Sequence, residues 1–582
     1  MGRVLRNARI AALALACGSA CGSDERSDGP TREPVDALIA AAANDYQVRA
    51  GLVEREHTLV VGTRNLPREL DPLGALDPWG QRLVDDLVFE GLTRRTDARF
   101  PFAEPQFADT CVASPPADPR DVYCHIPADR RFHDGNPVTA EDVLYSAQLW
   151  LDTRRELARL RHGLTDLRKV ELVDRPPSEG RRDPGQWLHV AFERPMPLAL
   201  EALAAVKIVP RSAYRGRNFG RAPVGTGPMR VVAMDADRIE LERVAAASDD
   251  EREIRRVVLR ATPDRAEALS RMRRGEIQVL DAMAPVHVPE ELTKPGMAAR
   301  FSAYVVTPPR FDLLLYNLRQ GPQAGPRLRD ALDRAIPFHA IDAVHGMPSA
   351  PAAAPVDRLD PQPIDLARLA QAGVSATWGM AGLPELAPDE DAEGARQAGL
   401  ILDELGWTME RGTRRRATGP LRTVLLWDGE RGTGAEVAGL VRRGWRDVGI
   451  TVPHATASWS YVFGLLRKGE FDLALLRLGT RTFEDLRPYF HSRGAANLTG
   501  VSDGELDTAL DAYVRAQDRA ARRHAQDQIA RRLADVRPVT VLYAPTIVLL
   551  VSKRVERLEF VDDLPRLDRL RLAPEASWTL HY

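Results

Sequence analysis

From residue 57 to residue 562 the chain changes its hydrophobic period repeatedly, and that alternation restricts its fold more than any other feature. Runs such as "HTLVVGT" (57–63), "QWLHVAFE" (186–193), "IRRVVLRAT", "RFDLLLYNL" (310–318), "LRTVLLWD" and "GEFDLALLRL" are short and apolar, the pattern of strands buried in a sheet. Between them "QRLVDDLVFEGL", "RLRDALDRAIP" and "AGLILDELGW" carry helical spacing and stop near a Gly or Pro. "DRAEALSRMRRGEIQVLDAM" and "EVAGLVRRGWRDVGITV" each read as helix, Gly turn and strand. "GELDTALDAYVRAQDRAARRHAQDQIARRLAD" (504–535) reads as a long amphipathic helical stretch, and "VTVLYAPTIVLLV" (539–551) as an apolar strand pair. Residues 348–392, rich in Ala and Pro, suggest long loops. Strands alternating with helices predict an α/β fold with mixed sheets. A chain of 582 residues is too long for one simple core, so about two or three domains are expected.

The N-terminus predicts export. Arg3, Arg6 and Arg9 form a positive region, and "IAALALA" (10–16) is an apolar run far too short to span a bilayer. Small residues precede Cys17 and Cys21, so residues 1–17 resemble a bacterial lipoprotein signal with Cys17 lipidated; Cys21 is the second candidate. A soluble secreted protein with an ordinary cleavage is the alternative. Residues 18–56 read as a flexible tether with at most one short helix. Cys111 and Cys124 are the remaining cysteines, and an even pair in an exported protein suggests a disulfide, against two free buried thiols. No transmembrane helix is expected in the mature chain.

Motifs for catalysis are weak. Net charge is −2, from 80 basic and 82 acidic residues, so no global field draws the chain to nucleic acid. "GVSDG" (500–504) has the spacing of a hydrolase nucleophile elbow, but no buried strand precedes it, and Ser502 with Glu505 fits a capping box instead. "PVGTGP" (223–228) is a tight turn rather than a phosphate loop, because Pro228 removes a donor N–H. The Arg-rich helix around 515–532 interleaves acids and reads as a solvated face. His133-Asp134 lies in a turn with Gly135 and Pro137, followed by Thr139 as N-cap with Asp142, and no His or Cys stands at ligand spacing. No metal site and no cofactor are expected, and no enzyme activity.

Residues 130–146 then supply a resemblance. Phe132, His133, Asp134, Gly135, Pro137, Thr139, Ala140, Glu141, Asp142, Val143 and Ser146 match the F-H-D-G-x-P-x-T-A-E-D-V-x-x-S segment of extracytoplasmic solute-binding proteins of the peptide/nickel class, family 5, which serve ABC transporters. "ELDP" (69–72), "VFEGL" (88–92), "PVGTGP", "YNL" (316–318) with "LRDALDRAI" (328–336), "LDELGW" (402–407), "DVGITV" (447–452), "GEFDLALL" (469–476) and "NLTGVSDGELD" (497–507) resemble further family segments in order.

The resemblance implies a two-lobed fold of the large type II periplasmic-binding class: lobe I from 57–98 and 208–308, a subdomain inserted in it at 99–207, lobe II at 309–536, and a return to lobe I over 537–582. The chain would cross near Thr307-Pro308-Pro309 and near Pro538. It implies capture of a small solute between the lobes, delivery to the permease subunits of an ABC importer, a monomer, and a lipid-anchored place on the periplasmic or extracellular face of the envelope. An envelope sensor or scaffold without transport is the alternative. Peptide-binding members place an Asp in a W-x-x-D-Y-x-x-P-like segment, where it pairs with the ligand ammonium. The matching stretch here, "RLGTRTFEDLRPYF" (477–490), lacks the Trp and puts Arg481 or Thr482 at the acid's position. Glu484 or Asp485 restores the acid only if the loop shifts. An Arg suits a carboxylate or phosphate. Trp459 and Tyr461 are expected to stack on the ligand, and Tyr316 and Asn317 complete the expected contacts.

Overall fold

The computed structural model describes residues 57–574, except 75–76, 97–98, 153–155, 175, 177–185, 216–217, 245–251, 284–286, 351, 356–360, 374–388, 430–432, 480–484 and 562. The signal, the tether, Cys17 and Cys21 therefore lie outside the described residues. So do Arg481, Thr482 and Glu484.

Three large sheets organise the chain. The eight-stranded sheet has the order Gln362–Ile364, Phe301–Val306, Ile547–Ser552, Val279–Leu280, Thr58–Thr63, Arg256–Ala261, Arg238–Arg243 and Met229–Met234. The five-stranded sheet has the order His454–Ala457, Leu425–Asp428, Leu473–Gly479, Arg310–Tyr316 and Val539–Tyr543. Both are mixed, with parallel and antiparallel neighbours. The four-stranded sheet, Cys111–Ser114, Asp121–Ile126, Gln186–Phe192 and Leu167–Val173, is wholly antiparallel.

The chain passes from the eight-stranded to the five-stranded sheet through Thr307-Pro308-Pro309 and returns through Ala544-Pro545-Thr546. The apolar pair at 539–551 thus divides between two sheets. Val539–Tyr543 pairs with Arg310–Tyr316, so the return comes after this strand and not near Pro538. Pro545 lies between the two strands and supplies no N–H to either ladder.

Helices cover both faces of the five-stranded sheet. Leu314 and Tyr316 pack with Leu332, Leu402, Val441 and Trp445, while Phe311, Leu313 and Leu315 share a core with Val462, Leu466, Leu510 and Leu533. That second core continues into the four-stranded sheet through residues such as Val122, Leu188 and Val190. Period-2 alternation along Arg310–Tyr316 accounts for the division of its side chains.

Four local expectations change. The stretch 504–535 forms two helices, Gly504–Arg515 and Arg519–Val536, because Asp518 takes an extended backbone and caps the second by accepting from Ala521 N at 2.8 Å. Asp503, not Ser502, caps the first, accepting from Leu506 N at 2.9 Å, since the helix begins one residue later than a Ser502 cap requires. The Arg-rich helix is not solvated throughout: Arg522 is 3% exposed. Residues 348–392 are not loop throughout. Gln362–Ile364 is an edge strand paired with Ala303–Val305, and Leu366–Ala372 is a helix. A three-residue edge strand containing Pro363 carries no alternation to read.

Candidate functional site

Strand direction locates the site. Thr58–Thr63 runs parallel to Arg256–Ala261 and to Val279–Leu280, so Thr63, Ala261 and Leu280 end at one edge of the eight-stranded sheet. Antiparallel pairing brings the end of Phe301–Val306 and the start of Ile547–Ser552 to the same edge. In the five-stranded sheet Leu425–Asp428 runs parallel to His454–Ala457 and Leu473–Gly479. Their carboxyl ends share an edge with Arg310, which begins its strand, and Tyr543, which ends its own. Both edges therefore meet the two crossing segments. Carboxyl ends of parallel strands are where open α/β sheets gather ligand-binding loops.

The polar groups at these edges are specific. On the eight-stranded side, Thr63 Oγ1 and Trp79 Nε1 both donate to Asp281 Oδ2, at 2.6 and 3.0 Å. Burial raises the Asp281 pKa against these two donors. On the five-stranded side, Arg477 grips Asp312 through two bonds, Nε to Oδ1 at 2.5 Å and an Nη to Oδ2 at 2.8 Å. Arg310 stands two residues before Asp312 on the same face, is exposed, and lies opposite Gly479. The protein around it and the nearby Arg477 charge depress its pKa. His345 stacks on Tyr543 with ring centroids 3.8 Å apart, and Tyr543 OH donates to Met347 O at 3.2 Å. Burial lowers the His345 pKa and so favours the neutral ring.

The expected ligand contacts divide. Trp459 begins the helix Trp459–Lys468 directly after the strand His454–Ala457, which brings it to the same edge. Tyr461 follows in the first turn and is 62% exposed. Tyr316 and Asn317 do not reach the edge as free groups. Both are 0% exposed. The Tyr316 hydroxyl donates to Asp333, and Asn317 Nδ2 donates to Gly469 O and Phe471 O at 2.9 and 2.7 Å. Their polar atoms hold the sheet to its neighbours. Arg310, Asp312, Arg477 and His345 escape a reading from sequence, because cross-strand register gathers the first three and the packing of the helix Phe338–His345 on Tyr543 brings the fourth. The one sequence signal is a charged residue directly after the Pro308-Pro309 corner.

Cys111 and Cys124 are directly opposite in the four-stranded sheet and form a disulfide, with Cα atoms 4.1 Å apart. Among the described residues no group of His, Cys, Asp and Glu could hold a metal ion, and no helix is long and apolar enough to cross a membrane.

The profile of the bacterial extracellular solute-binding proteins, family 5 middle region, matches residues 106–498. No curated protein matches the sequence. Among solved structures, the fold is similar to HbpA2 from Haemophilus parasuis (TM-score 0.63, 16% identity, covering 89% of this chain and 100% of that one). It is similar to NikA from Brucella suis in complex with Fe(III)-EDTA (TM-score 0.61, 18% identity, 89% and 100%). It is also similar to the oligopeptide-binding protein AppA from Bacillus subtilis in complex with a nonapeptide (TM-score 0.57, 18% identity, 89% and 99%). The architecture is that of the two-lobed periplasmic binding proteins.

Proposed function

Since the chain belongs to the bacterial extracellular solute-binding proteins of family 5, we propose that it is an envelope lipoprotein that captures a small solute between its two sheets and hands it to the permease of an ABC importer. The observation that carries this reading is the convergence of strand ends from both sheets on the two crossing segments. A ligand held by both edges lowers the free energy of the closed arrangement relative to the open one, and no bond is broken. Trp459 supplies an apolar wall, and Arg481 and Thr482 follow Gly479 in sequence by two and three residues. In this reading the eight-stranded sheet belongs to lobe I, the four-stranded sheet to its inserted subdomain, and the five-stranded sheet to lobe II.

The peptide-binding relative informs the solute class only in part. The acid expected opposite a peptide ammonium is replaced by Arg481 or Thr482, so free-amine di- to pentapeptides are expected to bind weakly or not at all. The test is mass spectrometry of small molecules released by denaturing protein purified from its native envelope, followed by calorimetry with the identified solute. A stoichiometric small solute supports capture. Absence of any released solute, together with no heat from peptides, sugars or carboxylates, would sink the reading.

A further inference from the structure

Three observations at one sheet edge concern the sign of the ligand's charge. Arg310 is exposed, and among the described residues its guanidinium makes no hydrogen bond or ion pair, whereas Arg477 on the same face is held by Asp312. Across the ladder stands Gly479, and among the described residues a Cβ built there would meet nothing nearer than Pro309 O, at 3.9 Å. The helix Gly434–Asp447 follows the strand Leu425–Asp428 and packs on the face that carries Leu314 and Tyr316, the face of Arg310. Its amino end is directed at the same edge, and its N-cap Thr433 makes no side-chain bond to it. Across the sheet, two strand spacings, about 10 Å, separate the strand Leu425–Asp428 from the strand of Arg310.

We propose, resting on the capture reading above, that Arg310 is the residue that selects the solute, and that the solute carries a carboxylate which the Arg310 guanidinium receives. A guanidinium fork matches a carboxylate in plane and can donate two parallel bonds. The charges around Arg310 weigh against a dianion. Arg310 contributes one charge and the helix end about half of one, while Arg477 and Asp312 cancel. Glu436, in the first turn of the helix, and Asp428, buried at its strand end, oppose any further negative charge. A phosphate dianion would exceed that balance. Asp563 is the carboxylate that acts most on Arg310, ahead of Asp312, and it also disfavours a second negative charge there.

The test uses the full mature chain and matched probes: glutarate and N-acetyl-trialanine, each against its carboxamide, with maltose and phosphate as neutral and dianionic comparisons. Affinities are read by calorimetry for wild type, Arg310→Gln and Arg310→Lys, with circular dichroism to verify that each variant folds. The expected result is that an acid binds at least tenfold more tightly than its amide, that Arg310→Gln removes this difference, and that Arg310→Lys restores part of it. Equal affinity for acid and amide, phosphate bound more tightly than either acid, or discrimination that survives Arg310→Gln overturns the proposal. If neutral probes bind and Arg310→Gln leaves them undisturbed, capture stands and this inference falls. If no probe of any class binds and no solute is released from native protein, both fall.

Discussion

His133 Nε2 donates to the carbonyl oxygen of Gly227 at 3.0 Å, and on its other side Nδ1 accepts from Gly225 N at 3.3 Å. The His133 N–H closes the clamp on Gly225 O at 2.9 Å. Two segments 92 residues apart, the His-Asp-Gly turn and the Gly-Thr-Gly turn, are thereby one structural device. The glycines let it seat: a Cβ at Gly225 would stand 2.0 Å from Val88 O, and one at Gly227 2.3 Å from Leu87 O.

Burial holds the His133 pKa below its ordinary value of 6.5, against the bond to Gly227. The folded state therefore favours the neutral ring. Unfolded chains bind the proton more readily, so stability is complete above about pH 6.5 and falls as the pH drops below it. His133→Gln retains a donor and an acceptor but does not titrate, and is expected to lose less stability between pH 8 and pH 5. His133→Ala leaves the turn groups unpartnered and is expected to cost about 1–3 kcal/mol at pH 8. Urea denaturation at both pH values measures each effect. Parallel wild-type and Gln curves would count against the titration argument.

Arg522 and Glu201 form a second link, joining the helix Arg519–Val536 to the segment beside the four-stranded sheet. The Arg522 Nη donates to Glu201 Oε2 at 2.8 Å, with the residues 3% and 2% exposed. Its guanidinium carbon lies 3.8 Å from the Phe102 ring centroid and 4.9 Å from that of Tyr513. Backbone pairing reinforces it, Phe100 N donating to Gln517 O at 2.9 Å. Removing one member strands a buried charge, so Arg522→Met is expected to cost about 3–5 kcal/mol. The double change Arg522→Met with Glu201→Leu is expected to recover most of that loss. A denaturant double-mutant cycle reads the coupling, and strictly additive losses would refute it.

Much of this architecture was legible in the sequence. The alternating periods identified the strands Thr58–Thr63, Arg310–Tyr316 and Leu473–Gly479, since each is an apolar run bounded by a charge, Gly or Pro. The Thr139–Asp142 capping box was legible too, because its residues are local. Long-range commitments were not. Nothing in "YNL" shows that Asn317 spends its amide on Gly469 and Phe471, or that Tyr316 spends its hydroxyl on Asp333. Arg522 looked solvated because its neighbours are charged, yet its partner Glu201 lies 321 residues away. Arg310 gained meaning only from the register that sets it across from Gly479.

Anchoring is predicted from residues 1–21. The apolar run 10–16 and the small residues before Cys17 make Cys17 the expected lipidated residue, with Cys21 as the substitute. Cys17→Ser is expected to shift the chain from the detergent to the aqueous phase on partition. If Cys17→Ser stays anchored and Cys21→Ser does not, the site is Cys21. A double variant that still partitions into detergent shows that neither cysteine carries the anchor.

The bond between Cys111 and Cys124 staples a hairpin of the four-stranded sheet. The two residues are 13 apart in sequence and directly opposite in register, so the bond closes the loop that carries Pro115, Pro116 and Asp118-Pro119. A loop of that length is worth about 2–3 kcal/mol through the lost freedom of the unfolded chain. Cys124 is 0% exposed and belongs to the core shared with Val122 and Leu188, so replacing it also removes packing. Reduction of the native protein separates these effects, since it cuts the bond and leaves both sulfur atoms in place. Protein harvested from the envelope, denatured without reductant and treated with an alkylating agent is expected to show no modified thiol at Cys111 or Cys124 by intact mass. After reduction, two alkyl groups should appear and the urea midpoint should fall. Two thiols alkylated without reductant would rule out the bond. A midpoint unchanged by reduction would show that the cross-link contributes nothing to global stability.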